Sequence, residues 1–167
     1  MKEARRNLWA AVGRVDAVCI TTNAQVNRDG QAVMGRGCAL EAAERWPQVR
    51  RNLGRRLQQS GNLPHILAIV GDAFYYEVND ASPLSSMALD GGSLLVSFPV
   101  KQHWRDAADP ALILASALRL VALADEMKWR CVVLPRPGCG NGRLIWEEQV
   151  LPLLVPVLDD RFVVVSK

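Results

Sequence analysis

The chain has 167 residues, 50% of them hydrophobic and 22% charged, and 20 Lys and Arg against 17 Asp and Glu leave a net charge of +3. This is enough apolar material for one globular domain over residues 1–167 with a substantial core. No apolar run approaches the roughly 20 residues of a membrane span, and the charged opening MKEARRNLWAAVGRVD is unlike a secretory signal, so a cytoplasmic protein is expected.

In chain order, the first strong strand is expected over Asp16–Thr21 (DAVCIT), ahead of AVMGRGC, where Gly35 and Gly37 precede a helix over Cys38–Trp46. Pro47 either ends that helix or opens a second one through Gln59. Arg45, Arg50, Arg51, Arg55 and Arg56 gather there, as a solvated helix face or as a contact for DNA or RNA. Short strands are expected over Ile66–Val70, Phe74–Glu77 and Ser93–Phe98. Asp109 as N-cap and Pro110 in the first turn start the clearest helix, which runs to about Trp129 with Ile113, Ala117, Leu120, Ala124 and Met127 on one face.

A further strand, Cys131–Leu134, leads into PRPGCGNGRLIW; a last helix starts near Trp146, where Pro152 and Pro156 kink or divide it before Asp159, and Phe162–Val165 closes the chain as a strand. Strands alternating with helices indicate an α/β fold with a largely parallel sheet, whose ligands sit at the carboxyl ends of strands. Two glycine-rich turns fall at such ends. Gly138, Gly140 and Gly142 carry no Cβ to hold a ligand away from backbone N–H groups, and Gly35 and Gly37 repeat the pattern ahead of another helix. Turns of this kind suit an anion such as a diphosphate held from both sides. Neither matches GxxxxGK[ST] or GxGxxG, which argues against ATP hydrolysis and simple dinucleotide redox chemistry. Cys19, Cys38, Cys131 and Cys139 lack CxxC spacing and only two histidines, His65 and His103, are present, so no metal site and no cofactor are expected.

DAVCITTN, VMGRGCALEAAERWP, SFPVKQHWR and LPRPGCGNGRLIW, in this order and over nearly the whole chain, resemble a macrodomain, the ADP-ribose-binding fold. The resemblance is to the branch typified by the DNA ADP-ribosylglycohydrolase antitoxins and related to the human terminal ADP-ribose glycohydrolase. It implies a three-layer α/β/α domain around a central mixed, mostly parallel sheet. It also implies ligand contacts from Met34, Gly35, Gly37, Cys38 and Ala39 in the first loop. The second loop would add Pro137, Gly138, Cys139, Gly140, Asn141, Gly142 and Leu144. Asn23 matches the asparagine that contacts the distal ribose, and Asn7 stands where the family has an aspartate that accepts the adenine amino group.

Lys101, just beyond a strand, matches a catalytic lysine of the antitoxin branch. A neutral amine there could attack the anomeric carbon of the distal ribose, or form an imine with the opened sugar, and release the attached group. His103 could carry a proton, while Trp104 and Trp146 are candidates for pocket walls or core. The branch acting on protein carboxylates has an aspartate where this chain has Ala39, which disfavours that route. Removal of ADP-ribose from nucleic acid or protein is therefore the leading expectation. A non-catalytic ADP-ribose reader and an ADP-ribose 1''-phosphate phosphatase are the alternatives.

Overall fold

The computed structural model describes residues 1–78 and 91–166. Seven strands form one sheet: β1 Lys2–Arg5, β2 Ala17–Asn23, β3 Ile66–Val70, β4 Tyr75–Glu77, β5 Ser93–Lys101, β6 Val132–Pro135 and β7 Phe162–Ser166. Their order is β1-β7-β6-β2-β5-β3-β4. The first five are parallel neighbours, and β3 joins β5 and β4 antiparallel, so the sheet is mixed and mostly parallel. The helices are α1 Gly37–Arg45, α2 Val49–Ser60, α3 Pro110–Glu126 and the short α4 Leu151–Leu154. Among the described residues no helix is long and apolar enough to cross a membrane.

Both faces of the sheet are covered, and alternate residues of one strand serve different cores. Ala17 and Cys19 pack with Phe98, Ile113, Leu120 and Phe162, whereas Val18 and Ile20 pack with Ala42, Trp46, Leu53 and Leu95 on the other side. The result is the three-layer α/β/α architecture, with every residue of β5 buried. A strand buried on both faces reads as continuous apolar sequence. That is why β2, β3, β5, β6 and β7 are visible in the sequence to within a few residues.

The exceptions have local causes. The edge strand β1 went unpredicted because its KEAR sequence is mostly exposed, and a charged edge strand shows no apolar alternation. Helix α3 stops at Glu126, short of Trp129. Lys128 turns into the left-handed region at φ 55°, Trp129 N–H bonds to Ala124 O and Lys128 N–H to Asp125 O. This is a Schellman closure made by a lysine instead of the usual glycine. The last helix is divided, a π-helical turn at Trp146–Val150 running into α4. Strand β5 continues through Pro99, opposite Thr22, and the register then shifts so that Asn23 faces Lys101.

Asn52 fastens α2 to the sheet. It is buried, and its Nδ2 donates to Leu67 O of β3 at 2.7 Å and to Tyr75 Oη of β4 at 2.9 Å. Asn52→Ala leaves a buried carbonyl and hydroxyl without this donor, at a cost of about 1–3 kcal/mol. Urea unfolding measures the loss; an unchanged midpoint would contradict the role.

Candidate functional site

A cavity of about 520 Å³ crosses the carboxyl ends of the parallel strands, a size ordinary for a small-molecule site. Lys101 of β5, Asn23 of β2, Pro135 of β6 and Ser166 of β7 stand along it in sheet order, with Arg6 beyond β1 at the far end. The turn before α1 forms one wall through Met34, Gly35, Gly37, Cys38 and Ala39, and the turn after β6 another through Gly138, Gly140, Asn141 and Gly142.

The two turns come close together. A Cβ on Gly37, at φ 59°, would stand 3.3 Å from Nδ2 of Asn141. In the second turn, a Cβ on Gly142 would lie 2.3 Å from Gly138 O, and one on Gly138, itself at φ 77°, 2.9 Å from Ala108 and Ile113. Its carbonyls are engaged inside the protein: Gly138 O accepts from Leu144 N, Gly140 O from Arg143 N and Gly142 O from Ala108 N. Among the described residues the N–H groups of Gly140, Asn141 and Gly142 meet no acceptor, and no side chain caps the N-terminus of α1. Donors left over on both walls, with the α1 dipole adding positive potential, make this a place for an anion.

Lys101 is 7% exposed. Its Nζ donates to Asp106 O at 2.6 Å and to Asn141 O at 3.1 Å, tying the amine to the second turn. Burial, reinforced by the Arg143 guanidinium and opposed by Asp106, holds its pKa below the ordinary lysine value. Two carbonyl acceptors orient two N–H bonds and leave the remaining tetrahedral position for the lone pair of a neutral amine or the third proton of an ammonium. Asn23 lines the cavity while its amide is engaged, Nδ2 donating to Val33 O and Oδ1 accepting from Gln25 N. Burial raises the Cys38 thiol and Thr21 hydrogen-bonds its sulfur, so Cys38 contributes wall rather than a thiolate.

Other expected residues stand aside. Asn7, His103, Pro137, Cys139 and Leu144 are outside the cavity walls. Asn7 Oδ1 caps the short 3₁₀ turn Leu8–Ala11 by accepting from Trp9 N at 3.0 Å. The His103 ring stacks on Trp104, and its Nδ1 accepts from Arg105 N. Trp104 is a wall residue, half-exposed, but Trp146 belongs to the core, with Nε1 donating to Glu3. In the basic segment, Arg55 pairs with Glu77, Arg56 donates to Val78 O and Arg45 lies over Trp9, which thins the cationic face that the sequence suggests. Exposed arginines near the mouth are Arg36, Arg105 and Arg143.

Sequence reasoning missed Arg6, Thr21, Thr22, Glu41, Arg136 and Ser166 as walls. For Glu41 a signal existed, since it follows Gly37 by four residues and so shares its helix face. For Arg6 and Ser166 there was none, because only the pairing of β1 with β7 brings them to the site.

No protein-family model matches the chain. It is 28% identical over 137 residues to a Mycobacterium tuberculosis protein named DNA ADP-ribosyl glycohydrolase, a match covering 81% of this chain and 35% of that protein. The chain thus spans about a third of the length of the curated relative. The macrodomain of Thermus aquaticus DarG has a similar structure, with a TM-score of 0.66 at 27% identity over 99% of this chain and 97% of that one. Thermosipho africanus DarTG in complex with ADP-ribose gives a TM-score of 0.70 at 17% identity, over 99% and 41% of the two chains.

The walls predict a contrast between two glycines of one turn. Gly142→Ala forces its Cβ against a backbone oxygen and costs about 1–3 kcal/mol of stability. Gly140→Ala, with nothing within 4 Å of its Cβ, stays within about 0.5 kcal/mol of the native chain. Thermal unfolding of both variants checks this; equal losses would mean the turn is not packed as described.

Proposed function

Because the chain is a macrodomain of the branch that includes the DarG macrodomains, we propose that it binds ADP-ribose across the two glycine turns and hydrolyses the glycosidic bond of ADP-ribosylated nucleic acid with Lys101. The observation that carries this reading is the buried Lys101 amine, hydrogen-bonded to the turn that forms one wall of the anion cradle. A diphosphate held between the turns puts the distal ribose toward β5, within reach of Nζ. The neutral amine attacks the anomeric carbon, the bond to the acceptor breaks, and the leaving group takes up a proton. Water then displaces the lysine and releases ADP-ribose.

The depressed Lys101 pKa supports this chemistry, since it raises the share of neutral amine at a given pH. The sign is definite: kcat/KM climbs as pH rises through the lowered lysine pKa and levels above it. Arg143→Ala removes a charge that opposes the ammonium, so it moves the rising limb to higher pH. A limb unmoved by that change would contradict the assignment.

The two carbonyl bonds of Lys101 also favour a second reading, in which the lysine only braces the turn and the protein is a reader of ADP-ribose. Calorimetry with ADP-ribose, together with turnover of ADP-ribosylated DNA and protein, separates the two. Under the enzyme reading Lys101→Ala loses roughly a thousandfold or more in turnover and keeps its ADP-ribose affinity. A native chain that binds but turns over neither substrate is a reader, and phosphate released from ADP-ribose 1''-phosphate marks a phosphatase.

The arginines at the mouth support a nucleic-acid substrate, whose phosphates they would meet. Log kcat/KM on ADP-ribosylated single-stranded DNA falls linearly with log salt, and Arg36→Ala and Arg105→Ala each flatten that slope by about 0.7. Salt-independent turnover would remove the case for nucleic acid.

A further inference from the structure

Trp9, Trp46, Trp129 and Trp146 are buried, whereas Trp104 is 47% exposed and lines the cavity together with Lys101. An exposed aromatic is not by itself a site, and the case for Trp104 lies in how it is held. It sits in the turn from His103 to Asp106, closed by Asp106 N–H donating to His103 O at 3.1 Å. Both flanks of that turn are tied down. Gln102 O accepts from Ala24 N at 3.0 Å, just beyond β2, and Ala108 N donates to Gly142 O of the second glycine turn at 2.9 Å. The Asp106 carbonyl of the same turn accepts from the Lys101 amine at 2.6 Å. The indole is thus fixed relative to that amine.

Its neighbours are aromatic and cationic. The His103 ring stacks with it at 5.7 Å between centroids and 25° between planes, and the Arg105 guanidinium lies over the indole at 4.7 Å. Arg105 is exposed, and among the described residues its guanidinium has no acidic partner. A base that takes its place on the ring leaves that charge for the adjoining phosphate. Arg143 reaches the same turn, donating to Arg105 O at 3.5 Å. A rigid aromatic face beside unpaired cations is the combination that holds single-stranded nucleic acid, stacking for the bases and charge for the backbone.

We propose that Trp104 is the platform on which the base bearing the ADP-ribose stacks, with Arg105 turned to the phosphate of that nucleotide. This rests on the ADP-ribose reading and deepens it by naming a residue that selects the acceptor. With the diphosphate on the glycine turns and the distal ribose at Lys101, the acceptor leaves the cavity at this end. Trp104 touches the acceptor and not the bond that breaks.

Calorimetry tests the proposal with ligands that resist cleavage because a methylene replaces the ring oxygen of the distal ribose. One is that ADP-ribose analogue alone, the second joins it to a base of a single-stranded trinucleotide, and the third joins it to a peptide side chain. At high salt, which removes most of the phosphate contribution, the native chain still binds the trinucleotide ligand about five- to a hundredfold more tightly than the analogue alone, the range of one stacked base. Trp104→Ala brings these two affinities together. Trp104→Phe, which keeps an aromatic face, retains most of the ratio and serves as the folded control. Indole fluorescence, quenched by the trinucleotide ligand in the native chain, loses that quenching in both variants. Equal affinities in the native chain, or a ratio that survives Trp104→Ala, overturn the proposal alone. The same gain and the same dependence on Trp104 with the peptide ligand also overturn it, because the surface then takes any acceptor. A native chain that binds none of the three ligands overturns the ADP-ribose reading as well.

Discussion

The site depends on two turns whose backbones stand where added side chains would crowd their neighbours. A methyl group on Gly142 would collide with the Gly138 carbonyl, and one on Gly37 would press on the Asn141 amide. With those atoms missing, backbone takes their place. The carbonyls of the second turn bond back to Leu144, Arg143 and Ala108, which consumes acceptors and leaves donors. An excess of N–H groups beside an uncapped helix start is a fixed positive potential that needs no basic side chain. The positive potential of the cavity is thus a property of chain geometry, independent of the modest net charge of +3.

Lys101 depends on the same packing. It can be buried because two carbonyls, one from Asp106 and one from the Asn141 position of the second turn, receive its protons. Without them a buried amine would lose water contacts with nothing in exchange. The cradle and the amine are therefore coupled through one peptide unit, and a ligand that shifts the turn also shifts the lysine. Its two hydrogen bonds are to backbone oxygens, and the Asp106 carboxylate acts on it only as a nearby charge that partly offsets burial and Arg143.

The ends of the cavity differ in kind. Around Lys101 the polar groups are mostly backbone, and the exposed Trp104 and nearby arginines open the site outward. Around Leu8 and Glu41 the wall is built from packed side chains, with Trp9, Trp46 and Arg45 stacked behind. The first arrangement suits a variable, bulky acceptor and the second a group of constant shape. This asymmetry follows from the sheet, in which the Lys101 end lies on interior strand β5 and the other beside edge strand β1.

The α/β class, the paired glycine turns and the long amphipathic α3 were all legible without coordinates. They depend on local chemistry: apolar runs make buried strands, Asp109 and Pro110 start a helix, and glycines allow turns that nothing else can form. The burial of Lys101, the role of Asn7 as a cap, the placement of Trp146 in the core and the arrival of Arg6, Glu41 and Ser166 at the cavity were decided only by tertiary structure. Each depends on which strands become neighbours and on the register at which they pair, and those contacts join residues far apart in the chain that carry no mark of one another.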